Sequence, residues 1–240
     1  MPLPIKALQA LNAREFLAIL NDDAAKFCYA QLGEDIVVHY LLTAHVGMGD
    51  NGFYVDAGAF HPRQYSNTRF LQMVGWRGLN IDASAEAIER FRTERPKDIN
   101  VCCGVGPKEE ELTFYRFAGG AASTCSAEQA RTWQEKHGWQ LLGTSTVRVR
   151  PLNAILEEFL PPGQTIDYLN IDLEGLDGEV LRGFDFARYR PKVLTVELHG
   201  CDKLALRDDP NVSFLESIGY HLAAVNVVTY AFVDRKYWKS

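Results

Sequence analysis

Apolar positions follow two different spacings along the chain, and the change falls near Gly47. Up to that point apolar residues recur at helical intervals, as in Ile36, Val37, Tyr40 and Leu41, which predicts helices over about 4–20, 22–31 and 34–45. Beyond it come short apolar runs that end in acids and glycines: FYVDAG (53–58), GLNIDAS (78–84) and INVCCGVG (99–106). Stretches that suit helices lie between them at 67–74 and 85–95, the second opened by Ser84 as N-cap and closed by Pro96. This alternation predicts a parallel sheet.

LTFYRF (112–117) and TVRVRPL (146–152) bracket an insertion whose helix starts at Ser126, with Gln129 completing a capping-box pattern, and stops near Gly138. The alternation then resumes with IDYLNIDLE (166–174) as a buried strand, a short helix over 176–182, and KVLTVELH (192–199) as the next strand. A further helix begins at Pro210 behind Asp209 as cap, and YHLAAVN and VTYAFVD lie close enough around Val227 to pair antiparallel. The expectation is one α/β domain over 1–240, with a helical cap at 1–46 and an insertion at 110–150.

Composition narrows the function classes. The 240 residues are 47% hydrophobic and 23% charged, which is ordinary for a globular chain. A net charge of -6 without a Lys/Arg block argues against nucleic acid as a partner. No uncharged apolar run approaches the roughly 18 residues of a membrane span, and Arg14 and Glu15 stand where a signal peptide would be apolar. The five cysteines are odd in number, scattered and without a C-x-x-C pair, so they fit neither a disulfide framework nor a zinc cage; a reducing cytoplasmic setting is the expectation.

The sharpest chemical signal is Asp56-Ala57-Gly58-Ala59 at the carboxyl end of the first strand, where a doubly wound sheet places its ligand crevice. Asp82 closes the next strand 26 residues on, the place of a carboxylate that holds ribose hydroxyls. The full G-x-G-x-x-G is missing, so a ligand with ribose but no diphosphate fits better than a dinucleotide. A turn glycine with a capping aspartate is the plainer alternative.

Four blocks in order, QLGEDIVVHYLL (31–42), FYVDAGAFHPRQYSNT (53–68), GLNIDAS and DYLNIDLEGLDGEVLRGFDF (167–186), resemble class I S-adenosylmethionine-dependent methyltransferases of the FkbM-like group. The resemblance runs from about residue 29 to 200. It implies a Rossmann-like doubly wound α/β fold whose seven-stranded sheet is mostly parallel with an antiparallel last strand. It also implies methyl transfer to oxygen, on a sugar, glycan, glycolipid or secondary metabolite. The family pattern sets Gly58 and Ala59 against the donor's methionine part, Asp82 with Ala83 at its ribose, and Cys103 or Gly104 near adenine. Ser66, Asn67 and Thr68 would hold the donor carboxylate or simply cap a helix, and Gln31 would be the contact from the covering helix. Glu34 and Asp35 also read as acids favoured in a first helical turn.

A second constellation joins Asp172 and Glu174 after the fourth strand to Glu197 and His199 after the fifth. Residues two apart share a face while strand geometry persists, so three carboxylates and an imidazole are expected around one crevice. Crowded acids raise one another's pKa unless a cation or proton is shared, which suits a general base or a divalent metal such as Mg²⁺ held by Asp172 and Glu197. The adjacent acidic pair of related magnesium-dependent sugar methyltransferases is missing. His199 is the expected base, because imidazole titrates near neutrality; Asp172 has the alternative of capping the next helix. His61 reads as a turn residue before Pro62, Cys102 and Cys103 as small apolar residues of a central strand, and Trp133, Trp139, Phe114 and Tyr115 as a satellite core or an acceptor cover. The rival readings are an N- or carboxyl-methyltransferase of the same fold and a catalytically silent nucleoside-binding module.

Overall fold

The computed structural model describes residues 27–199 and 208–239. The expected helix at 4–20 lies outside them, and 27–31, the described part of the second expected helix, is not helical. The third helix is present as α1 (Glu34–Leu41), which runs into a π-helical turn at Leu42–Val46.

The main sheet has seven strands in the order β3-β2-β1-β7-β8-β10-β9: β1 (Phe53–Ala57), β2 (Arg77–Asp82), β3 (Ile99–Cys102), β7 (Tyr168–Ile171), β8 (Val193–Glu197), β9 (Tyr220–Asn226) and β10 (Thr229–Asp234). β3, β2, β1, β7 and β8 pair in parallel, and β10 is antiparallel to both β8 and β9. The expected α/β class, with an antiparallel last strand, is therefore observed. Val227 turns the final hairpin with a left-handed φ of 54°.

Alternation along β1 divides the core. Phe53, Val55 and Ala57 face α5 (Leu152–Phe159), α6 (Asp177–Gly183) and α7 (Pro210–Ser217). Tyr54 on the opposite face packs with α1, with Leu71 of α2 (Arg69–Met73) and with Trp76. Burial of all five β1 residues marks it as a central strand covered on both sides. α3 (Ala85–Glu94) is capped as expected, Ser84 Oγ accepting from the Ala87 N–H, and Asp209 likewise accepts from Asn211 and Val212 at the start of α7.

INVCCGVG splits instead of forming one strand. β3 ends at Cys102, and β4 (Gly104–Val105) leaves for a small sheet ordered β4-β6-β5, with β5 (Glu110–Phe117) and β6 (Leu141–Arg150). β3 is thus an edge strand and Cys102 is exposed, contrary to the expected central position; Cys103 alone is buried. α4 (Ala127–His137) bridges β5 and β6, capped by Ser126 and ended by a left-handed Gly138. Its Trp133 packs with Phe117 and Ala130, and Tyr115 lies against them, so a satellite core forms with two of the four expected aromatics, while Phe114 is outside it and Trp139 is exposed. No described helix is long and apolar enough to cross a membrane.

Gly58 ends β1 at φ 88°, and a Cβ there would lie 1.7 Å from the Asp172 carbonyl oxygen. The glycine lets the first strand's turn touch the loop after β7, which Asp172 N–H ties to Ala57 O at 2.9 Å. Gly58→Ala is expected to cost at least about 2 kcal/mol, from the left-handed backbone and the displaced carbonyl. Denaturant unfolding measures this, and a loss below about 0.5 kcal/mol would contradict the close approach.

Candidate active site

A cavity of about 360 Å³ opens at the carboxyl ends of β1, β2, β7 and β8. Gln31, Glu34, Asp56, Gly58, Ala59, Asn67, Asp82 and Ala83 line it, together with Asp172, Glu174 and Glu197. Most residues expected at the site therefore converge. His199, the expected base, is not among the lining residues and reaches the cavity only through its neighbour Glu197, and three further residues need correction or a changed role.

Cys103 packs into the core, where burial pushes its thiol up to about 11; Gly104 and Val105 face the cavity in its place, because the chain turns into β4 there. Ser66 is 1% exposed and does not face the cavity; its hydroxyl accepts from Arg95 Nη2 at 2.9 Å. Thr68, the N-cap residue of α2, makes no capping bond but donates its hydroxyl to Asp56 Oδ2 at 2.8 Å. Of the S-N-T triplet only Asn67 lines the cavity, and its Oδ1 is buried without a hydrogen-bond partner.

On the donor side, both oxygens of Asp56 are engaged, by Thr68 and by Asn170 Nδ2 at 3.0 Å, and burial holds its pKa above the ordinary range. Asp56 thereby braces the strand ends. The Gly58 and Ala59 N–H groups both go to Ile81 O, so this turn offers shape rather than free donors. Asp82 accepts from Phe60 N–H at 2.9 Å and Ser84 N–H at 2.7 Å, and burial still pushes it up to about 6. Each carboxylate oxygen keeps accepting capacity toward the cavity. His61 Nδ1 accepts from the N–H groups of Arg63 and Gln64, the turn role read from its proline neighbour. Glu34 accepts from Leu32 N–H and faces the cavity, whereas Asp35 accepts from Tyr29 N–H and fixes the segment before α1.

The acid cluster assembles by a route the strand period does not describe. β7 ends at Ile171, and Glu174 has a left-handed φ of 52°, so Asp172 and Glu174 are not alternate residues of a strand. Asp177, absent from the sequence reading, shapes the loop: its Oδ1 accepts from Leu173 N–H at 2.7 Å and its Oδ2 from Gly175 N–H at 3.0 Å. An aspartate opening a helix just after glycine was the available signal. Asp172 caps no helix, since α6 begins behind Leu176. From the insertion, Thr124 Oγ1 donates to Glu174 O at 2.7 Å.

His199 Nε2 lies 3.1 Å from Glu197 Oε2 and 3.8 Å from Glu174 Oε2. Burial drives Asp172 well above the carboxylate range, and the charges of Glu197 and Glu174 add to this. Burial also pushes Glu197 up, but the adjacent His199 and Asp172 outweigh it and hold it below its ordinary value. The surroundings thus favour the protonated form of Asp172 and the charged form of Glu197. The bond to Glu197 raises His199. Burial, with repulsion from Glu197, pushes Glu174 to about 8 and Asp177 to about 7. Trp133 meets His199 edge-on at 5.6 Å, so the insertion's satellite core also walls the imidazole.

Glu174, Glu197 and His199 each offer one ligand atom, all within 4.8 Å of one another. This convergent set of two carboxylates and one imidazole shares Glu197 with the expected Asp172–Glu197 pair. Mg²⁺ prefers an all-oxygen shell, and this donor set includes an imidazole, so it does not fit magnesium.

A family model described as the methyltransferase FkbM domain matches residues 56–222. The crystal structure of methyltransferase FkbM from Methylobacillus flagellatus KT aligns at 15% identity with a TM-score of 0.45, covering 78% of this chain and 44% of that one. The chain thus spans less than half the length of that relative. No curated protein matches it.

Asp82, Asp177 and Glu174 bind protons more tightly in the folded state than in the unfolded chain, and so does His199. The stability these groups confer is complete below their unfolded values and is lost as pH rises through about 6, 7 and 8. The melting temperature is expected to fall between pH 5.5 and 8.5, and Glu174→Gln to shallow that fall. A wild-type melting curve that is flat or rising across this window would contradict the buried cluster.

Proposed function

From the premise that the chain belongs to the FkbM methyltransferase family, we propose that it transfers the methyl group of S-adenosylmethionine to a hydroxyl of a sugar, glycan, glycolipid or secondary metabolite. The observation that carries this reading is the joining, in one cavity, of the Asp82 turn and Glu197, the carboxylate that lies 3.1 Å from the His199 imidazole.

S-adenosylmethionine supplies an electrophilic methyl on a sulfonium and leaves as a neutral thioether. The residues present suit it. A cavity of about 360 Å³ lies within the range of small-ligand sites. Asp82 has accepting capacity for ribose hydroxyls, Asn67 Oδ1 and Gln31 are polar groups for the amino-acid end, and Gly104 with Ala83 leaves a flat wall for adenine. Glu34, Asp56 and Asp82 give the cavity a negative field that favours a cation.

A hydroxyl attacks poorly while protonated, so the acceptor needs positioning and a base. His199, oriented by Glu197, accepts the hydroxyl proton at the ring as the nucleophile forms its bond to carbon. The raised pKa makes the imidazole a stronger base. Glu174 beside it is the alternate base, ionising at about 8. The same acids repel an acceptor carboxylate, which disfavours carboxyl methylation. Four ionisable groups held around one crevice are unexplained in a catalytically silent module.

Purified protein is expected to gain thermal stability with S-adenosylmethionine and to ignore NAD; no shift with S-adenosylmethionine would sink the proposal. With an acceptor in hand, His199→Ala is expected to lower kcat by about 10² to 10⁴ with donor affinity nearly intact, and the wild-type rate to rise with pH and survive chelation. An unchanged kcat in that variant, with methyl transfer rate-limiting, moves the base to Glu174. Activity lost to a chelator and restored by a divalent ion would replace proton-base catalysis with a metal.

A further inference from the structure

Arg95 is the one buried Lys or Arg among the described residues, 1% exposed at the end of α3. Its planar fork reaches four acceptors. Nη1 donates to Thr68 Oγ1 at 2.9 Å and to Tyr54 OH at 3.3 Å; Nη2 donates to Ser66 Oγ at 2.9 Å and to the Pro62 carbonyl. Its Nε is buried without a partner, and the guanidinium lies 5.1 Å from the Phe91 ring. No carboxylate touches it. Its compensating charges stand one hydroxyl away on either side, Asp56 beyond Thr68 and Asp98 beyond Tyr54, whose hydroxyl is 2.5 Å from Asp98 Oδ2.

Three of the four acceptors belong to the segment 60–68, which gives the cavity Phe60, Gln64, Tyr65 and Asn67. That segment is held in an unfavourable form: Phe60 and Tyr65 are non-glycine residues at φ 52° and 56°, with their rings stacked at 6.2 Å. Such backbone persists only where the surroundings over-determine it. Regular secondary structure supplies little here, because the segment lies between β1 and α2.

We propose that Arg95 is a positioning residue for the donor. By bridging Pro62, Ser66 and Thr68, it holds the strained 60–68 segment in the shape that presents Asn67 and the Phe60–Tyr65 pair to the cavity. The inference rests on the proposed donor for its affinity readout only. Lysine keeps the charge but has one nitrogen, which cannot span acceptors that arginine divides between two.

The test compares wild type with Arg95→Lys by amide hydrogen exchange and by calorimetric binding of S-adenosylmethionine. Exchange over 60–68 is expected to accelerate at least tenfold relative to β1 and β7, and the donor Kd to rise about tenfold. If Arg95→Lys does not fold, Ser66→Ala deletes one acceptor and is expected to give the same pattern at about threefold. Unchanged exchange over 60–68 in a folded variant overturns the inference whatever the donor is. A folded variant with faster exchange but unaltered donor Kd also overturns it, leaving a purely structural arginine. Failure of wild type to bind S-adenosylmethionine refutes the proposed function instead, and the exchange comparison still decides the role of Arg95.

Discussion

Carboxylates taken out of water must be compensated, and that requirement organises the catalytic end of this sheet. Asp56, Asp82, Asp172, Glu174, Asp177 and Glu197 crowd the carboxyl ends of four parallel strands, where a bare buried charge costs several kcal/mol. They find three solutions. Asp82 and Asp177 take pairs of backbone N–H groups and thereby fold the loops after β2 and β7. Asp56 takes a hydroxyl and an amide, joining β1 to β7 and to the Arg95 network. Asp172, Glu174 and Glu197 lack such partners in sufficient number, so they share protons and an imidazole.

That last group is also where chemistry becomes available. A cluster that cannot ionise fully at neutral pH is both a reservoir of protons and an acceptor for them. Glu197 anchors the cluster because it keeps the charge, and through it His199 gains basicity. The geometry depends on distant covalent choices. Glycine at 58 admits the Asp172 carbonyl, Thr124 latches Glu174 from the insertion, and Trp133 closes the outer side of the imidazole.

The succession of strands and helices along the chain and the first two strand ends were legible because their signals are local: an apolar run, a terminal acid, a glycine that frees the turn. The cluster was legible in membership but not in construction. Alternation along a strand was the wrong reason for joining Asp172 to Glu174, since the strand stops and a left-handed residue does the turning. Cys103 and Ser66 were misplaced for a shared reason: neighbours in sequence need not share a wall. A one-residue break sends Gly104 to the cavity and Cys103 to the core, and a buried guanidinium draws Ser66 inward. Arg95 left no motif, because its partners are a backbone carbonyl and hydroxyls that only the folded chain brings near.

The account turns on the pairing of His199 with an ionised Glu197, and nuclear magnetic resonance of the labelled imidazole tests it without any acceptor. The His199 ring is expected to titrate above the ordinary value of 6.5, and Glu197→Gln to bring it down toward or below that value. A wild-type ring titrating at or below 6.5, unmoved by that substitution, would contradict the paired base and with it the chemistry assigned to this site.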